Sequence, residues 1–578
     1  MLRIFLIIAP RNNISNPILS YVMMGLSVLM VRRVRINACR FLLPLIFSLG
    51  MPLATAQSSD QELPSHHITF TKLAWSGVAA DDIEVIMEKA KIESEYRYFE
   101  DSQLTQLTSQ LKQELRVKGY FLAQVLISAD DRASYFQTGV LNLHIYPGKI
   151  GVINIVNSSA VKTTWITSLA ENVLCPNGIG NACLLTKARF ERFTQIIQDV
   201  AGLQVASIEF SPHGVDVGQT KLSIAIIAKG SRIKVAVGAD NYGFTSTGKS
   251  RVDAKLETNN VFGVGDVFVL NTSLTEKNNF SGGLDVDVPI ALNGLSLRSS
   301  VYRNQFALPS LYTTGIADSV NIGLTYPLVR GLDFNLIASI SAVDVMSEIV
   351  TLDKVISNKN IYAGQFLLAA NSGDRTFSLG YDAWTLQSAL MEGRVSDVTA
   401  LPGLNSSLGH FTKLSYQALK KQTVWKSNGI YALMNIRGQL VSGNLDPYEK
   451  LGLSGVSAAR GYSAEQGSVD QGIVTSVDFR KDINSSWGRV TTGVFFDYAN
   501  GMINRNSYAN WQIQNGYANH NQSNHLVLSD YGVSLSWDGP YNIELNTSWA
   551  RQFNSSPVML NSVLRANSQF WLALKCHF

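Results

Sequence analysis

The chain has 578 residues, a formal net charge of +4, 16% charged residues and 46% hydrophobic residues. Residues 1–56 hold six arginines (Arg3, Arg11, Arg32, Arg33, Arg35, Arg40) and no Asp, Glu or Lys; beyond them 42 basic residues face 44 acidic ones. This excludes a broad basic field for nucleic acid, and the charged fraction, low against about 25% for a soluble domain, belongs to a chain that buries much of itself or faces lipid.

Residues 1–56 are expected to be a secretory signal with an over-extended N-terminus. Val31 to Arg40 is an arginine-rich n-region, Phe41 to Leu53 an apolar run, and Ala54-Thr55-Ala56 a cleavage site before Gln57. Pro17 to Val31 is a second apolar run, and Met23, Met24 and Met30 are alternative starts. A membrane-anchoring helix is the competing reading, but the run falls short of the ~18–20 residues a span needs. No later stretch is long and apolar enough to cross as a helix. A membrane-embedded fold must therefore be a closed barrel, the other structure that satisfies every backbone group in lipid.

After a short segment, 57–66, the chain reads as two small mixed units, 67–148 and 149–230. In the first, Ile68 to Trp75 is a strand. Leu104, Leu107, Leu111 and Leu115 line one face of a helix, which Asp101 or Ser102 can cap and Lys118-Gly119 ends. Strands follow at Phe121 to Ile127 and around Leu141 to Ile145. The pattern then repeats: a strand at Ile150 to Val156, a helix face of Phe190, Phe193, Ile197 and Val200 closed by Gly202, and strands at Val205 to Phe210 and Leu222 to Ile227. The helix stripes are core. The edge strands are able to accept an extended polypeptide as an additional strand. Cys175 and Cys183, with seven residues between them that include Pro and Gly, read as a disulfide in an oxidising compartment, with a metal pair as the weaker reading for want of a nearby His. Cys39 falls in the signal and Cys576 on a lipid-facing side of the last strand.

From residue 231 the period changes to two. Leu295, Leu297 and Val301 alternate with polar residues, as do Leu332, Phe334 and Leu336, and Tyr531, Val533, Leu535 and Trp537. This is the transmembrane-barrel pattern; a soluble β-sandwich would alternate as well, but the length, the low charge and the aromatic chain end stand against it. The length of 231–578 suits about 16 antiparallel strands at ~9–11 residues per crossing. Phe570, Leu572, Leu574, Cys576 and Phe578 share one face of the final strand. One long Gly-rich loop, 452–472, carries Arg460-Gly461-Tyr462 and precedes a strand at Ile473 to Phe479. Asp497 lies in the apolar run Gly493-Val494-Phe495-Phe496-Asp497-Tyr498. A carboxylate there needs a cationic partner, and Arg460 is the natural candidate for a forked pair.

Several of these motifs resemble known families. Val117-Lys118-Gly119-Tyr120-Phe121 and the strand after it, in tandem units, resemble the polypeptide-transport-associated (POTRA) domain, with Gly119 and Tyr120 as the motif residues. Phe570, Leu572, Leu574 and Phe578 resemble the C-terminal signal read during outer-membrane barrel assembly. Arg460-Gly461-Tyr462 resembles the V-R-G-Y/F loop motif of the BamA superfamily, with Ala459 in place of Val. Phe495-Phe496-Asp497 resembles the strand motif whose aspartate binds that arginine. Asp240-Asn241-Tyr242-Gly243 through Gly265-Asp266 is similar to the first hairpin of two-partner-secretion transporters (TpsB, haemolysin-activator type). Only Gln57 to His66 precedes the first unit, which speaks against the plug helix many members carry.

The resemblance implies α+β periplasmic POTRA domains followed by an all-β transmembrane barrel in the bacterial outer membrane. It implies a transporter without cofactor that exports an unfolded partner bearing an N-terminal secretion domain. Its other partners would be outer-membrane lipid, periplasmic chaperones and the barrel-assembly machinery, and no nucleic acid. An insertase of the same superfamily and a passive porin are the rival readings. Enzymatic motifs such as G-x-S-x-G, H-E-x-x-H or a P-loop are absent from the sequence. His520 and His525 read as a solvated loop before a metal pair.

Overall fold

The computed structural model describes residues 67–70, 82–86, 88 and 99–578, apart from 181–182, 215–217, 374–381, 400–406, parts of 509–522, and 554–566. The expected signal, the 57–66 segment and His520 lie outside the described residues.

The first unit contains β1 (His67–Phe70), α1 (Asp101–Val117), β2 (Gln124–Leu126), α2 (Ala129–Thr138) and β3 (Val140–Tyr146). β3 is central, parallel to β1 and antiparallel to β2. The α1 leucine stripe is buried against Leu141, Leu143 and Ile145 of β3. The cap differs from the sequence reading. Glu100 is the cap residue, because the Gln103 side chain accepts its backbone N–H at 2.9 Å, so Asp101 and Ser102 already belong to the first turn. The strand expected over Phe121 to Ile127 is shorter, since Phe121 and Leu122 turn away to pack on the second unit. A helix, α2, separates β2 from β3. The Ser128 Oγ caps it, accepting from the Asp131 N–H at 3.0 Å, and Gly139 ends it in the left-handed region with φ +73°.

Asp131 also holds this unit to its own sheet. The Ser128 hydroxyl, with His144 at 2.7 Å and Asn142 at 3.0 Å, keeps its carboxyl below the usual carboxylate range despite the opposing effect of burial. A depressed folded value stabilises above the unfolded value of about 3.9 and is lost as pH falls through the folded value. Acid unfolding of this unit, followed by hydrogen exchange at Asn142 and His144, is therefore expected to shift to higher pH in Asp131→Asn. An unchanged acid limb would show that the network contributes nothing.

The second unit runs β4 (Lys149–Asn157), α3 (Thr163–Leu174), α4 (Lys187–Asp199), β5 (Leu203–Pro212) and β6 (Gln219–Ala228). β6 is central, with β4 parallel and β5 antiparallel to it. Ile166, Leu169, Val173, Phe193 and Ile197 bury against Leu222 and Ile224 of β6. The α3 helix was not read from the sequence, where its Thr-rich start masks the stripe. Phe121 stacks on Phe190 at 5.0 Å and meets Phe210 edge-on at 5.9 Å, so the two units share an aromatic joint.

Sixteen antiparallel strands then close into a barrel. They are β7 (Ile233–Asp240), β8 (Arg251–Asn259), β9 (Val267–Thr275), β10 (Phe280–Pro289), β11 (Ser296–Leu308), β12 (Thr313–Arg330), β13 (Asn335–Thr351), β14 (Lys354–Asn371), β15 (Ala383–Asp397), β16 (Gly409–Trp425), β17 (Ile430–Val441), β20 (Gln471–Ser485), β21 (Gly488–Met502), β24 (His525–Asp538), β25 (Ile543–Gln552) and β26 (Ser568–His577). Two-residue strands in the loops account for the other numbers: β18 (Leu451–Gly452) with β19 (Ser468–Val469), and β22 (Ile513–Gln514) with β23 (Tyr517–Ala518). The outward faces are apolar and exposed: Ile316, Val320, Ile322 and Leu324 on β12; Tyr531, Val533 and Leu535 on β24; Phe570, Leu572 and Leu574 on β26. An apolar belt around a closed cylinder is a lipid-facing surface. Five pairs, Ala573↔Asp240 to His577↔Ala236, join β26 to β7 and close the cylinder.

The second unit sits on one rim of the barrel. Arg330, at the end of β12, forks onto Asp199 at the end of α4 (2.7 and 2.6 Å). Arg192 of α4 donates to the carbonyls of Asn293 and Pro327 at 3.1 Å. The β8–β9 turn reaches back through Asn260 to the Ala201 carbonyl at 2.8 Å. Asp199→Ala leaves the buried Arg330 guanidinium without its fork, and should loosen the docking by about 1–3 kcal/mol. Faster hydrogen exchange in turn 331–334 would register this, and unchanged exchange would argue against the contact.

Candidate functional site

The chain leaves β17 at Val441 and re-enters the wall at Gln471, so the loop spans 442–470, ten residues earlier at its start than the 452–472 read from the sequence. The polar run Ser442-Gly443-Asn444 ends the ladder there, and the loop turns into the lumen. The β18–β19 ladder pinches its neck, Leu451 to Val469 and Gly452 to Ser468. Beyond the neck, Leu453, Ala459 and Tyr462 are fully buried against Val474, Ala499, Leu526 and Leu528 on the inner faces of β20, β21 and β24. This apolar footing fixes where the next side chain must point.

That side chain is Arg460. Its Nε and Nη2 donate to the two carboxylate oxygens of Asp497 at 2.8 and 2.7 Å, and its backbone N–H donates to the same group at 3.1 Å. Nη1 donates to Asp478 at 3.0 Å and Nη2 to the Ser476 hydroxyl at 2.8 Å, and that hydroxyl donates to Asp497 at 2.7 Å. The guanidinium lies 3.3 Å over the Phe495 ring, a cation–π contact in a desolvated place. The register explains the convergence. Ser476 pairs with Asp497 and Asp478 with Phe495 across β20 and β21, so all four point inward together, while Val494 and Phe496, on either side of Phe495, face out.

The backbone of the motif is held as firmly. The Trp571 indole Nε1 donates to the Arg460 carbonyl at 2.7 Å, and Gln552 Nε2 donates to the Gly461 carbonyl at 2.8 Å. The Tyr462 hydroxyl donates to the Ser529 carbonyl at 3.1 Å. A Cβ at Gly461 would lie 2.6 Å from the Asp530 Cβ, so close approach of loop to wall requires glycine there. The tip thus touches β20, β21, β24, β25 and β26. Glu465 reaches the β7–β8 loop by accepting from the Ser246 N–H at 2.8 Å.

The remaining residues singled out from the sequence lie elsewhere. Gly119 (φ +102°) and Tyr120 sit at the joint between the two units, where the Gly119 carbonyl accepts from the Lys187 N–H at 3.3 Å. Cys175 and Cys183 form a disulfide inside the second unit's core. Phe570, Leu572, Leu574 and Phe578 face outward, and Cys576, at the same parity, is a free thiol. Ser476, Asp478, Gln552 and Trp571 were not picked out from the sequence. For Asp478 a signal existed: it occupies an inward position in its strand as Asp497 does in the next. For Trp571 the only signal was its parity, opposite to the outward aromatics.

The sequence profile of the haemolysin secretion/activation protein family ShlB/FhaC/HecB matches residues 218–519, more than half of the chain. This chain belongs to that family. The ShlB/FhaC/HecB assignment carries with it an outer-membrane location and a transporter of the TpsB type. Among curated relatives, the heme/hemopexin transporter protein HuxB of Haemophilus influenzae strain 86-028NP is 24% identical over 491 residues, covering 82% of this chain and 80% of HuxB. A second HuxB from Haemophilus influenzae is 24% identical over 492 residues with the same coverage. Among solved structures, CdiB from Escherichia coli matches with a TM-score of 0.65 at 15% identity, over 91% of this chain and 93% of CdiB. CdiB from Acinetobacter baumannii matches with a TM-score of 0.60 at 15% identity, over 90% and 91%. At that identity the two structures speak for a shared fold.

Proposed function

We propose that this ShlB/FhaC/HecB-family protein recognises an unfolded secreted partner through two periplasmic POTRA domains, 67–148 and 149–230, and exports it through the barrel. The observation that carries the reading is the loop inside the lumen, pinned by Arg460 to Asp497, Asp478 and Ser476. A buried forked pair of this kind defines one position for the loop, and a passing chain needs that position to be set and released. On the periplasmic side, among the described residues, β2 pairs only with β3 and β5 only with β6, so each sheet presents an edge for strand addition. Phe210, partly exposed on β5, offers an apolar seat beside that edge. The partner is thus an extended polypeptide, such as a haemolysin-, adhesin- or toxin-like exoprotein with an N-terminal secretion domain. Its folding outside the cell supplies direction, and no catalytic step is assigned.

Export is tested with Arg460→Ala, keeping the barrel inserted and heat-modifiable; undiminished secretion would remove the loop from the mechanism. Recognition is tested by capture of the partner's secretion domain on 67–230, which a Phe210→Asp variant should weaken. The five-pair closure between β26 and β7, against nine pairs between β24 and β25, is the feature that favours a second reading, insertion of other barrels through an opened seam. Barrel-assembly defects on deletion, with secretion intact, would select it.

A further inference from the structure

The loop is fastened at its root as well as at its tip, and the two fastenings have opposite polarity. At the tip a loop cation lies on wall carboxylates. At the root loop carboxylates lie on wall cations: Lys359 of β14 donates to Asp446 at 2.6 Å, and Lys413 of β16 pairs with Glu449. A third pair, Lys450 with Asp470 at 2.9 Å, ties the two limbs of the loop together. Lys413, Asp446, Glu449 and Asp470 are buried, and Lys359 and Lys450 are largely so, at 16% and 13% side-chain exposure. Asp470 also accepts backbone N–H groups from Leu445 (3.1 Å) and Arg505 (2.7 Å), and Gln439 holds the Glu449 and Asp470 carbonyls at 3.2 and 2.7 Å. Beneath these pairs Leu445 and Tyr448 pack on an apolar patch of the inner wall formed by Val345, Ile361, Val395 and Phe411. Those residues belong to β13, β14, β15 and β16, none of which carries the Arg460 contacts.

We propose that the root of the loop, residues 445–450, is a separate closure of the lumen, latched by Lys359 and Lys413 and released independently of the Arg460 latch. The two sites share no residue and stand on different strands, so freeing Arg460 leaves the limb on the β13–β16 wall. Removing one partner of a buried pair leaves the other charge uncompensated, which is far costlier than losing a surface pair. Withdrawal of the root bares two lysines, and withdrawal of the tip bares Asp478 and Asp497. The cleared lumen therefore presents a cationic wall facing one part of a threading chain and an anionic wall facing another. The inference rests on the reading that the loop occupies the export conduit.

The test is single-channel conductance of the purified full-length protein in planar bilayers, with protease cleavage within 442–470 as a second readout. Glu449→Gln and Asp446→Asn alter the loop and leave the wall untouched, so the barrel stays heat-modifiable. Each is expected to raise open probability about a hundredfold, the scale of breaking a buried pair. Lys413→Glu should do the same, and Lys413→Glu with Glu449→Lys should restore the closed state. Combining Glu449→Gln with Arg460→Ala should multiply the two single effects, as for independent sites. The proposal is overturned if the root variants conduct like wild type, if the charge exchange fails to restore closure, or if Arg460→Ala alone opens the pore as far as the double variant. Conductance needs no partner protein, so a failure of the export reading would appear separately, as root variants that open the pore in a protein whose Arg460→Ala form still secretes.

Discussion

Asp497→Ala is expected to abolish secretion while leaving a folded, heat-modifiable barrel in the membrane. The substitution removes the fork on Arg460 Nε and Nη2 and the acceptor for the Arg460 backbone N–H, leaving Asp478 and Ser476 to hold a buried guanidinium. Breaking a buried pair from one side costs about 3–5 kcal/mol, which lowers the docked fraction of the loop by roughly a hundredfold or more. Asp497→Asn keeps the shape and part of the hydrogen bonding, so it should fall between wild type and alanine. Arg460→Lys should resemble the alanine variant more than wild type, because an ammonium cannot bridge Asp497, Asp478 and Ser476 in one plane. Exported partner in the medium is the first measurement. Labelling of a Ser457→Cys thiol on the exposed bend of the loop is the second. Wild-type export together with unchanged labelling would show that the pair is ornamental.

The second large effect belongs to the periplasmic side. Phe193→Ala removes a fully buried ring from the core of the second unit, where it packs with Ile166, Leu169 and Leu222. Such a truncation costs about 3–5 kcal/mol, a large share of the ~5–15 kcal/mol that stabilises a domain. Residues 149–230 should become protease-sensitive at 37 °C while the barrel stays heat-modifiable, because the lipid-facing strands do not depend on that core. Secretion should fall with the loss of the β5 edge and of the α4 platform that meets the barrel rim through Arg192 and Asp199. Protease resistance equal to wild type would mean that the cavity collapses without cost. Normal secretion from an unfolded second unit would remove that unit from partner recognition.

The parts of this protein that were legible in the sequence are those governed by local periodicity. The leucines of α1, three and four residues apart, dictate which helix face is buried, and the alternation along β24 and β26 dictates which side meets lipid. The Arg460–Asp497 pair was within reach as well, since one cost, a carboxylate in an apolar strand, demanded one kind of partner. The cap of α1, the extent of the loop and the helix α3 were misread or missed because boundaries depend on a few hydrogen bonds rather than on a period.

The sequence by itself determined a chain of two small mixed units and a lipid-facing cylinder, because burial of apolar faces is a property of each segment in turn. What only the tertiary structure decided is which inward-facing residues meet across the lumen. Trp571 reaches the Arg460 carbonyl over a separation of 111 residues, and Lys359 reaches Asp446 over 87. Those meetings are set by strand register and by the closure of β26 on β7, which place distant residues side by side only once all sixteen strands are in order. The polarity of the two latches is therefore a property of the closed barrel, invisible in any single strand.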